Sequence, residues 1–202
     1  MRNKLVLKMT INAVLIALIA IMSFVPYVGY ITIPGIGLSI TIIHVIVIFA
    51  AASFGIGEGT IAGFAFGLFS LIKAASNPGS ALDYYFVNPL VSILPRLIFG
   101  LACGFAFFGI RKIKNQILKY SLFVISCGLL TIFHSIITLS MFYVFAVVVG
   151  KETMTYFALI SGIFTINGLV EILCAVIISP ALTVAITAAF PKLCIFKLER
   201  QK

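Results

Sequence analysis

Residues 88–100 read NPLVSILPRLIFG, which places a guanidinium, Arg96, directly after Pro95 inside a stretch otherwise suited to hydrocarbon. Few other groups in comparable surroundings could do chemistry. Asn167 and Glu171, four apart in INGLVEIL, share one helix face. His134 and Ser135 are adjacent, with Thr138 and Tyr143 beyond them, and Thr41 and His44 form a further pair. A permanent cation with neutral donors and acceptors around it is the equipment of an anion-binding site. A charge in the bilayer centre costs roughly 3 kcal/mol or more, so it needs a partner or a purpose. Two readings of Arg96 stand side by side. It forms an ion pair with Glu171 that pins two helices together, or it contacts a polar substrate. His134 and His44 carry the same ambiguity between packing and ligand contact. Enzyme signatures are absent: the sequence has no H-E-x-x-H, no G-x-S-x-G, no phosphate-binding G-x-x-x-x-G-K-[ST] and no paired acidic residues in one segment.

The elements that carry these residues follow from composition. Of 202 residues, 62% are apolar and 9% charged, against about 25% charged in an ordinary soluble domain. This is the composition of an all-α integral membrane protein forming one domain over residues 1–202, with lipid as its surroundings. Apolar runs predict six spanning helices at 8–26, 38–54, 58–73, 88–110, 119–148 and 155–188. The net charge of +9 marks topology rather than nucleic-acid binding, because its cations cluster at the termini and in one loop. Arg2, Lys4, Lys8, Arg111, Lys112, Lys114, Lys119, Lys192, Lys197, Arg200 and Lys202 fall on one side, with Lys73 and Lys151 on the other. Both termini are therefore expected in the cytoplasm. By that arithmetic Arg96 lies about 12 Å below the outer helix ends, and the Asn167–Glu171 pair about 20 Å.

Two outer loops are then notable. Residues 27–37, YVGYITIPGIG, are uncharged, and residues 74–87 include Asn77, Pro78, Asp83, Tyr84 and Tyr85. Such loops serve either as interface connectors or as lids over a small-molecule cavity. Packing signals are clear. Gly55, Gly59, Gly63 and Gly67 recur every fourth residue, as do Gly100 and Gly104, which lets backbones approach closely. Ala13, Ala17 and nearby Ala20 put a small-residue stripe on the first helix. The four cysteines lack C-x-x-C spacing and read as free thiols, not a metal site.

Taken together, the Ala13-x-x-x-Ala17 stripe, FGIGEGTIAGFAFG and NPLVSILPRLIFGLACG resemble the substrate-binding S component of an energy-coupling factor (ECF) vitamin transporter, over nearly the whole chain. The resemblance implies a non-enzymatic, multi-pass subunit of a bacterial plasma membrane. It implies vitamin capture beneath the outer loops and toppling in the membrane on docking to a partner module. That module comprises a transmembrane coupling subunit and two cytoplasmic ATPase subunits, so this chain needs no cofactor of its own. The docking motif maps to Ala13 and Ala17. Pantothenate-type members are the most similar, and a binding set of Tyr84, Tyr85, Asn88, Arg96, His134 and Asn167 would suit a carboxylate, an amide and two hydroxyls. Riboflavin, pyridoxine-like, folate and cobalamin substrates are the alternatives within the family. A stand-alone channel, a secondary transporter or an intramembrane enzyme are the alternatives outside it.

Overall fold

A computed structural model of the chain describes residues 2–32, 39–77, 81–149, 155–161 and 166–195. The tip of loop 27–37 (33–38), Pro78, Lys151 and the tail cations Lys197, Arg200 and Lys202 lie outside the described residues. Lipid offers backbone groups no hydrogen bonds, so the apolar runs form helices: α1 Arg2–Phe24, α2 His44–Phe54, α3 Ile56–Ser76, α4 Pro89–Ile110, α5 Gln116–Tyr143, α6 Tyr156–Ser161 and α7 Ile166–Ala189. Five are long and apolar enough to cross a membrane: α1, α3, α4, α7, and α5 with its π-helical continuation Val144–Val149.

The expected second span, 38–54, has a different structure. It begins as strand β2 (Ser39–Thr41), paired antiparallel with β1 (Tyr30–Thr32), and only then becomes the 11-residue α2. A helix that short covers about 16 Å, half a hydrocarbon core. Nearly every α2 side chain is buried, as befits a helix apolar all round. It lies inside the bundle against α3, α4 and α7, while α1 covers α3. Of the expected last span, 155–188, the described residues form α6 and α7, and residues 162–165 lie outside the described residues.

The glycine rows set the closest contact, between α3 and α4. A β-carbon at Gly59 would stand 2.6 Å from Ala51 Cβ and 3.1 Å from the Gly100 carbonyl oxygen. At Gly67 it would stand 2.7 Å from Ile93 Cα, and at Gly63 it would collide with the Arg96 carbonyl oxygen. Glycine thus brings α3 against the backbone that carries the buried cation. Helix starts are capped by side chains. Asn88 Oδ1 accepts from Leu90 N at 2.9 Å with Pro89 next in line, and Asn115 Oδ1 accepts from Ile117 N and Leu118 N. At the opposite end Glu58, buried in the first turn of α3, meets Lys8 at 3.7 Å. The chain after α7 turns back there, so that Ile195 N donates to the Ser53 carbonyl at 2.8 Å.

Candidate functional site

Arg96 projects from the second turn of α4, about 10 Å from that helix's start, and is only 5% exposed. Its Nη1 donates to the Val91 carbonyl at 2.6 Å, while Nε has no hydrogen-bond partner. The guanidinium carbon lies 5.5 Å from the Phe66 ring centre and 5.2 Å from that of Phe86. Aromatic faces stabilise a cation without neutralising it.

The expected Arg96–Glu171 ion pair is not formed. The two groups act on one another electrostatically without coming to ion-pair distance, unlike Lys8 and Glu58. Glu171 Oε1 instead accepts the backbone N–H of Thr41 in β2 at 2.7 Å, with the Ser135 hydroxyl beside it. The reason is geometric: the β1–β2 hairpin lies across the bundle end and offers α7 an unpaired strand N–H. Thr41 pairs with Tyr30 in the register, yet its own N–H points away from β1 and toward α7.

His134 and His44 come together. Their rings stack 5.9 Å apart at 15°, and His134 also lies 4.7 Å from the Phe99 ring and 5.6 Å from Phe66. Both His134 nitrogens and Thr138 Oγ1 are buried without partners, and His134 feels the charge of Arg96. Neither His44 nitrogen makes a well-formed hydrogen bond, its polar neighbours being backbone at Thr41 and Glu171. Tyr30 completes the group. Its Oη is buried without a fully formed hydrogen bond, has Ser70 as a neighbour and interacts electrostatically with Arg96; burial raises its pKa. The Lys73 ammonium sits 3.7 Å over the Tyr30 ring. Each unpartnered buried group costs about 1–3 kcal/mol. Several of them around one cation mark a place where a polar ligand or water supplies the missing partners.

The remaining expected contacts divide. Asn167 is buried one turn before Glu171 on α7. Asn88 spends its carbonyl oxygen on the cap of α4. Tyr84 is 77% exposed and stands outside the cluster, whereas Tyr85 packs edge-on against Phe142 at 5.6 Å. Tyr30 was not singled out by sequence. Nothing local distinguishes it from Tyr27, which is 74% exposed, and only the hairpin register selects it. Ala13 and Ala17 lie on the exposed face of α1, away from the site.

A helical membrane bundle with a short central helix and a buried polar cluster beneath a hairpin is the frame of a membrane substrate-binding subunit. The chain belongs to the family of ECF transporter substrate-specific components, which it matches over residues 7–183. Such a protein binds substrate for a transporter and is not an enzyme. Among curated relatives, the pantothenate transporter PanT of Leuconostoc mesenteroides is 33% identical over 117 residues. That similarity spans 57% of this chain and 57% of the relative. Among solved structures, the S component for biotin of an ECF-type ABC transporter superposes with a TM-score of 0.63, covering 95% of both chains at 19% identity.

Proposed function

We propose that this chain is the pantothenate-binding S component of an ECF-type importer in a bacterial plasma membrane. In this reading its termini are cytoplasmic, and it captures the vitamin beneath the β1–β2 hairpin on the outer side. It then topples when docked on the coupling subunit, while ATP is hydrolysed by the two partner ATPases. The observation that carries the reading is the Arg96 guanidinium, buried with no carboxylate in contact and acting electrostatically on the buried Tyr30 hydroxyl and the unpartnered His134 ring. A small ligand with one carboxylate, an amide and hydroxyls complements that inventory. The PanT relative supports the same choice. Arg96 takes the carboxylate, and His134, Thr138, Tyr30 and Asn167 serve the neutral groups.

The test is a thermal-denaturation screen of the detergent-solubilised chain against B vitamins. Ligand at 100-fold above its dissociation constant contributes about 2.7 kcal/mol of stability. Stabilisation by pantothenate alone is the expected result. Stabilisation by biotin or riboflavin instead would keep the transport role and reject the substrate.

A further inference from the structure

In an α-helix the amide at position 95 would donate to the carbonyl four residues back, that of Val91. Proline has no N–H, and its ring crowds that same carbonyl. Val91 is completely buried, so its oxygen lacks both a helical donor and bulk water. The Arg96 Nη1 fills the vacancy at 2.6 Å. We propose that Pro95 is a positioning residue for substrate. By freeing the Val91 carbonyl it creates an acceptor that folds the next side chain back along α4 and fixes the guanidinium between Phe66 and Phe86, with Nε left unpartnered. Another proline within a spanning helix, Pro180 of α7, is followed by Ala181, so a proline in a helix does not by itself bring a cation with it. This inference rests on the reading of Arg96 as the anion-binding group.

Pro95→Ala should have two effects of opposite sign. Restoring the N–H re-forms the helical bond to Val91 and raises the melting temperature of the unliganded protein. The same bond competes with Arg96 for the carbonyl and loosens the guanidinium. Binding is compared for pantothenate and pantothenol, in which a primary alcohol replaces the carboxylate. P95A is expected to lower the pantothenate-over-pantothenol preference several-fold while pantothenol affinity holds. Equal loss for both ligands would mean general distortion of the pocket and would overturn the assignment, as would an unchanged preference.

A ligand-free double-mutant cycle decides the matter independently of the vitamin's identity. R96L orphans the Val91 carbonyl in the parent chain but not in the P95A background, so the melting-temperature effects of P95A and R96L should be clearly non-additive. Additive effects would overturn the proposal. Failure of the parent chain to bind pantothenate would reject the substrate, and the cycle would still rule on Pro95.

Discussion

Arg96 holds its charge with one backbone carbonyl and two aromatic faces, an arrangement that leaves most of its hydrogen-bonding fork free. A fork that grips a carboxylate through two parallel bonds is not replaced by an ammonium. Arg96→Lys is therefore expected to weaken pantothenate binding at least tenfold, roughly 1.4 kcal/mol, with Arg96→Ala abolishing it; calorimetric titration of both folded variants checks this. The position of Arg96 in an apolar stretch was plain from the sequence, and counting four back from Pro95 identifies the carbonyl it bonds. Its relation to Glu171 was not. Depth along two helices is countable, but rotation about each axis is set by packing, and packing gave the carboxylate to Thr41. Asn88 adds a second point: Asn-Pro at a helix start is a capping signature, and its Oδ1 caps α4, so its amide NH2 is the group it could offer a ligand.

At the scale of elements, the β1–β2 hairpin is tied down from both strands, through Thr41 to Glu171 and through Tyr30 beneath Lys73. A hydrogen bond of this kind contributes about 0.5–1.5 kcal/mol net. Glu171→Leu should speed amide exchange in β2 and release bound vitamin about tenfold faster. Glu171→Gln, which keeps an acceptor oxygen, should do so less; exchange mass spectrometry with stopped-flow release measures both. Gly63 offers a sharper test, because a methyl group there meets the Arg96 carbonyl directly. Gly63→Ala should lower the melting temperature and weaken binding together, whereas Gly57→Ala, with nothing within 4 Å, should change neither by much. The four-residue glycine spacing made this face legible in advance. Apolar runs also located the long helices well. They could not show that 38–54 starts as a strand, since hydropathy registers burial and is blind to backbone direction. Tyr30 stayed hidden for the same reason.

On the scale of the whole molecule, the exposed stripe of Ala13 and Ala17 lies on a helix whose opposite side, at Leu15 and Ile19, packs into the bundle. Bulky replacement there is expected to leave vitamin affinity unchanged and to abolish ATP-dependent uptake in vesicles carrying the complete transporter. Loss of affinity in the same variants would return the stripe to internal packing. The separation is testable because the candidate site and the stripe share no residues.

The brevity of α2 has a consequence for how the protein is made. Eleven residues covering about 16 Å are too short to be accepted by a bilayer as a spanning segment in their own right. Gly55, with φ +118°, turns the chain directly into α3. It follows that α2 enters the membrane as the leading arm of a helical hairpin, drawn in by α3 and sheltered only once α4 and α7 have arrived. During synthesis, nascent chains halted before α4 should leave α2 open to protease, and chains extended through α7 should protect it.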